Sequence, residues 1–192
     1  MRFFAFIFLL LLTISEGQSA DNPIQVIMET ELGTIKLEIN TQKAPITSAN
    51  FLKYVDEKRW KGAHFYRVVR LNNQPKNDIK IEVIQGGLGW REDPQRLASI
   101  KHETTKQTKI KHRDGVISMA RAEPGTADSE FFICIGDQPE LDFGGKRNPD
   151  GQGFATFGRV IQGMEVVRNI HKGKDEGQML KKTIAIKNIK RK

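Results

Sequence analysis

Cysteine is nearly absent. Cys134 is the only one in 192 residues, so no disulfide can form within the chain and the fold must rest on its core. Flanked by Ile133 and Ile135, it reads as a small buried hydrophobe. No Asn-x-Ser/Thr acceptor site occurs. The four histidines, His64, His102, His112 and His171, have neither metal-ligand spacing nor a cysteine partner, so neither a metal nor a cofactor is expected. Phosphate-loop, dinucleotide and calcium-loop spacings are missing. A Ser–His–acid hydrolase stays open on composition, but no G-x-S-x-G elbow is present.

Long apolar runs are equally scarce. The only one, residues 3–14, comes after Arg2 and precedes a small polar stretch, the order of a secretory signal. Residues 1–20 are therefore expected to be cleaved, with an uncleaved anchor as the alternative, and residues 21–192 to form one domain. The run is too short to span a bilayer comfortably, so no stable membrane insertion is expected after cleavage. With so little cysteine, a bacterial periplasm or bacterial secretion is favoured over an animal extracellular module. The net charge of +8 comes from dispersed lysines, with local clusters at 101–113 and 181–192 but no interleaved aromatics. That pattern argues for a solvated cationic surface, and no nucleic-acid partner is expected.

What is present is strand periodicity. Ile35, Leu37 and Ile39 alternate with polar residues, so residues 25–39 predict a hairpin turning at Gly33. Pro45 opens a helix over 45–56 whose Phe51, Leu52 and Val55 face the core. Further extended runs lie at 64–71, 81–84, 116–120, 130–135, 154–160 and 183–189, with a short helix over 163–170. Residues 90–113 read as irregular. Many strands and two helices suggest a mainly β, closed antiparallel barrel capped by helices.

Short motifs then occur in a telling order: FYRV at 65–68, QGG at 85–87, MARA at 119–122, SEFFIC at 129–134, Leu141-Asp142 and FATFGRV at 154–160. In this order they resemble the site strands of cyclophilins, peptidyl-prolyl cis–trans isomerases, and look most like the bacterial exported branch. The resemblance covers residues 26–189 and implies an eight-stranded barrel with two helices and an outer groove. By motif, Arg67 matches the catalytic arginine. Gln85 and Phe65 would contact substrate, and Met119, Ala120, Arg121 and Ala122 would form one rim. Phe132 would floor a proline pocket with Leu141 and Phe154, and Glu130 stands in the same strand. The implied partners are proline-containing polypeptide clients, met by a monomer.

The chemistry needs one cation and a dry pocket. Amide rotation meets a barrier of about 18–20 kcal/mol because the nitrogen lone pair is delocalised. Twisting returns that pair to the proline nitrogen, where a guanidinium stabilises it selectively. Three acids depart from the family pattern: Glu82 in place of an aromatic wall, Glu130 in place of glutamine, and Glu140 in place of an aromatic at the groove edge. If Glu82 or Glu130 reached Arg67, a charge-assisted pair would compete with substrate and lower activity. Otherwise the acids face solvent or favour basic substrates. Two functions stay open: an isomerase of lower activity than is usual in the family, and a non-catalytic proline-binding or scaffold module on the same fold.

Overall fold

The computed structural model describes residues 23–89 and 91–192; the expected signal segment, 1–20, lies outside them. Nine strands form among these residues: β1 (Ile24–Thr30), β2 (Gly33–Ile39), β3 (His64–Val69), β4 (Val83–Gly87), β5 (Val116–Met119), β6 (Phe131–Cys134), β7 (Ala155–Gln162), β8 (Asp175–Glu176) and β9 (Met179–Arg191). They lie in the order β1-β2-β7-β5-β6-β4-β3-β9, and β9 pairs back onto β1 through Val26↔Arg191 and Met28↔Ile189. The sheet is thus a closed antiparallel barrel of eight strands, with the two-residue β8 attached to β9. Closure leaves no long unpaired edge in the barrel wall. Among the described residues no helix is long and apolar enough to cross a membrane.

The alternating strands fill the interior. Val26, Met28, Ile35, Leu37 and Ile39 of the first hairpin are fully buried, as are Phe65, Phe131 and Phe157. Helix α1 (Pro45–Asp56) lays Phe51, Leu52 and Val55 onto this core. The Phe51 ring meets Trp60, Phe131 and Phe157 at centroid distances of 5.4, 6.0 and 5.2 Å. The sequence predicts two helices, whereas three α-helices and a 3-10 turn (Pro139–Leu141) occur among the described residues. The addition is α2 (Thr105–Thr108), inside the segment that reads as irregular. Gln107 there accepts the Thr104 backbone N–H at 2.8 Å, half of the T-x-x-Q capping pattern. Helix α3 (Met164–His171) buries Val166, Val167 and Ile170.

Helix α1 begins at Ala44, which has no side chain able to cap it. The acceptor comes from 57 residues away: Glu103 takes the N–H groups of Ile46 and Thr47 at 3.2 and 2.7 Å and the Thr47 hydroxyl at 2.6 Å. A buried carboxylate on a helix N-terminus satisfies otherwise orphaned donors and complements the dipole. Glu103→Ala is expected to lower the urea-unfolding free energy by about 2 kcal/mol, the value of a lost cap plus a buried unmet donor. Glu103→Gln should lose less, because its amide oxygen can still accept.

Candidate functional site

Strand register builds the site. Arg67 of β3 lies opposite Gln85 of β4, Gln85 opposite Phe132 of β6, and Phe132 opposite Ser118 of β5. One row across four strands therefore carries a guanidinium, an amide and a ring onto the barrel's outer face. Phe131, one residue away, points inward to the core, while Phe132 joins a separate cluster with Val69, Ile81, Val83, Cys134 and Leu141. That cluster underlies a cavity of about 220 Å³, whose lining includes Arg67, Ile81, Val83, Gln85, Phe132, Leu141 and Phe154. Ala120 and Arg121 form a ridge between it and a second hollow of about 310 Å³, which Ala122 and Glu130 also line.

Two of the expected groove residues lie elsewhere. Phe65 and Met119 are 0% and 1% exposed and belong to the barrel interior. The β3 period predicts Phe65, Arg67 and Val69 on one face, but the register to both β4 and β9 shifts between Phe65 and Arg67. This bulge at Tyr66 gives β3 an extra residue and reverses the phase of the residues beyond it. Phe65 and Val68 point inward, and Arg67 turns to the groove. Met119 is the last inward residue of β5 before the chain turns out at Ala120.

The expected competition for Arg67 does not occur. Arg67 donates from Nη1 to Gln85 Oε1 at 2.8 Å, and from Nη2 and Nε to Gln178 Oε1 at 2.6 and 3.1 Å. Burial draws its basicity down, yet a guanidinium stays charged. Glu82 is not part of the cavity lining, and the side chains of Ile81 and Val83 on either side supply the wall. Glu140 accepts the Lys146 N–H at 2.8 Å. Glu130 is tied to Tyr66 instead, which donates its hydroxyl at 2.5 Å, and it also accepts from Gly89 N, Ser129 Oγ and Arg96 Nη2 at 3.0, 3.0 and 3.3 Å. Its close fit needs Gly87, at φ +147°, where a Cβ would lie 2.7 Å from the carboxylate oxygens.

Glu130 nonetheless acts on Arg67 through a relay. An ionised carboxylate only accepts, so Tyr66 must donate to it. The Tyr66 oxygen then accepts Gln85 Nε2–H at 2.9 Å, which leaves Gln85 Oε1 turned toward Arg67. Glutamine at position 130 would permit the reversed chain, with the Gln85 amide flipped and its NH₂ aimed at the guanidinium. Glu130→Gln is therefore expected to lower turnover of a Xaa-Pro peptide a fewfold rather than raise it; a raised rate would restore the competition idea. Burial also lifts the Glu130 carboxyl above its ordinary range. A protonated Glu130 can donate to Tyr66, so the same loss should appear in the wild type as pH falls through that raised value and be absent from Glu130→Gln.

Gln178 was not legible in the sequence. Met179 of β9 pairs with Glu176 of β8, so Gly177 and Gln178 form a two-residue hairpin turn with φ of +55° and +74°, the pattern of a type I′ connection. A glycine at the first position is a turn signal, but nothing local says that the next side chain clamps a residue 111 positions earlier.

Behind Phe132 lies a further chain of polar groups. His112 stacks on the ring at 5.8 Å and 10°, with Nδ1 2.9 Å from Asp142 and Nε2 3.0 Å from Ser118 Oγ. Burial lowers the His112 pKa, so the imidazole is neutral, donating to Asp142 and accepting from Ser118. The arrangement has the composition of a hydrolytic triad, but Ser118 is 0% exposed and His112 1%. No acyl group can reach that hydroxyl, and the chain serves to hold the Phe132 ring.

A family-wide profile described as "Cyclophilin type peptidyl-prolyl cis-trans isomerase/CLD" matches residues 25–191. Peptidyl-prolyl cis-trans isomerase A of Dickeya dadantii is 34% identical over 164 residues, covering 83% of this chain and 77% of that one. A peptidyl-prolyl cis-trans isomerase of Streptomyces antibioticus is 36% identical over 146 residues, covering 74% and 80%. The crystal structure of a Cryptosporidium parvum cyclophilin type peptidyl-prolyl cis-trans isomerase in the presence of the dipeptide Ala-Pro superposes with a TM-score of 0.68 at 25% identity, covering 88% of this chain and 98% of that one. Barrel and matched length agree, and this chain belongs to the cyclophilin-type peptidyl-prolyl cis-trans isomerases.

Proposed function

We propose that this protein accelerates cis–trans rotation about Xaa-Pro bonds in exported polypeptides, with Arg67 as the catalytic cation. The observation that carries this reading is the row Arg67–Gln85–Phe132, in which a guanidinium with no carboxylate partner among the described residues faces a hollow floored by Phe132 and Leu141. The proline ring enters over Phe132, between Val83, Leu141 and Phe154, and is held while the preceding residue turns. Arg67 addresses the nitrogen as its lone pair localises, a stabilisation absent from the planar amide. Gln85 and Gln178 fix the fork, so little reorganisation is needed at the moment of reaction. Ala120 and Arg121 form the rim along which the substrate backbone lies. No covalent intermediate or cofactor enters the scheme.

Exchange NMR on a Xaa-Pro peptide tests it. Exchange faster than in buffer, lost in Arg67→Ala, is expected. No acceleration overturns the enzyme reading, and binding without turnover replaces it with a proline-binding module. The reading of a bacterial periplasmic or secreted protein is supported by the signal-like residues 1–20 and the single cysteine. N-terminal sequencing of the protein from a fractionated bacterial host is expected to start at Asp21 in the exported fraction; an intact cytoplasmic chain would refute it.

A further inference from the structure

The sequence weights the groove toward acids, through Glu82, Glu130 and Glu140, but the folded chain reverses that sign around the proline pocket. Among the described residues no carboxylate lines the 220 Å³ cavity, whereas three guanidiniums do, from Arg67, Arg121 and Arg147. Arg121 is compensated, with its Nη atoms 2.8 and 3.0 Å from the Asp150 oxygens. The other two are not. Among the described residues Arg67 donates only to the amide oxygens of Gln85 and Gln178. Arg147 donates to the backbone oxygen of Ile79 at 2.5 Å and, among the described residues, to no carboxylate. Both side chains are half-buried. Burial and then the nearby charge of Arg67 depress the basicity of Arg147, so the two cations feel each other across the cavity.

Glu82 lies outside the cavity lining, and three other nearby acids are committed elsewhere. Glu130 is held by Tyr66 and Arg96, Glu140 by the Lys146 amide, and Asp142 by His112 with Lys111 close by. Two uncompensated guanidiniums beside an apolar floor complement a carboxylate next to a hydrophobic ring. A carboxylate placed there relieves their mutual repulsion and gains charge-assisted bonds, while an ammonium adds a third cation to the pocket.

We propose that Arg147 makes this groove select Xaa-Pro segments that carry a carboxylate on the residue next to the proline. The proposal rests on the isomerase reading and names the substrate class for that same site.

The test is kcat/KM on short peptides with Asp, Ala or Lys placed in turn on each side of proline. At low ionic strength the Asp peptide is expected to exceed the Ala peptide by roughly five- to tenfold on at least one side, with the Lys peptide below both. The ratio should shrink at about 0.5 M salt, where screening is short-ranged. In Arg147→Gln the Asp/Ala ratio should fall to about one, and in Arg147→Lys it should largely survive. Lys187→Gln, at an exposed position outside the cavity lining, removes the same net charge and should leave the ratio unchanged. Equal kcat/KM for Asp, Ala and Lys peptides overturns the selection and leaves the isomerase standing. A preference that persists in Arg147→Gln, or falls as far in Lys187→Gln, overturns the assignment to Arg147. Turnover of none of the peptides removes the isomerase reading itself.

Discussion

Replacing Arg67 by alanine is expected to lower kcat/KM on a Xaa-Pro peptide by roughly ten- to hundredfold, the range of one lost charge-assisted interaction of about 1.5–3 kcal/mol made only in the transition state. The barrel should be spared, because Arg67 closes no ion pair among the described residues and its loss leaves the oxygens of Gln85 and Gln178 to be met by water. Circular dichroism and urea midpoints near wild type, beside the lost activity, are the expected outcome. Arg67→Lys should recover little. One ammonium cannot satisfy Gln85 on one flank, Gln178 on the other and still face the substrate, as the planar fork does. A variant retaining more than half of the wild-type activity would remove Arg67 from the chemistry.

Phe132→Ala is expected to combine the largest loss of stability with a loss of turnover. The ring is 5% exposed, lies parallel to His112 and meets Phe154 edge-on at 5.3 Å. Truncation of such a phenylalanine costs about 3–5 kcal/mol. Beyond that, the pocket loses its floor and His112 its stacking partner, so the effect on kcat/KM should come mainly through KM. Phe132→Leu keeps most of the volume and should separate the two effects, with about 1–2 kcal/mol lost and a weakened but measurable grip on proline. Urea unfolding and steady-state kinetics on the same preparations give both numbers. Unchanged KM in a folded Phe132→Leu variant would argue against the ring as the proline floor.

Regular segments were the readable part of this chain. Alternation in Ile35–Leu37–Ile39 placed β2, Pro45 placed the start of α1, and the adjacent pair Phe131-Phe132 divided between core and groove as strand geometry requires. Irregularity was not readable. A bulge leaves no mark on composition, so the phase change at Tyr66 sent Phe65 inward against expectation. Gln178 escaped because its contact with Arg67 depends on a left-handed turn and on pairing between β3 and β9. The acids misled for a related reason: charge is visible in a sequence but pairing is not, and Tyr66, Arg96 and the Lys146 amide engage Glu130 and Glu140 only after folding.

The β1–β9 seam has a temporal consequence. Residues 179–191 supply hydrogen bonds to both β1 and β3, so the first strand made waits for the last. Until residues 179–191 have been made, the nascent chain carries two open flanks, β1 and β3, and cannot close the barrel. Such a topology has high contact order and folds slowly, so the newly made polypeptide stays without a closed wall well after most of its strands exist.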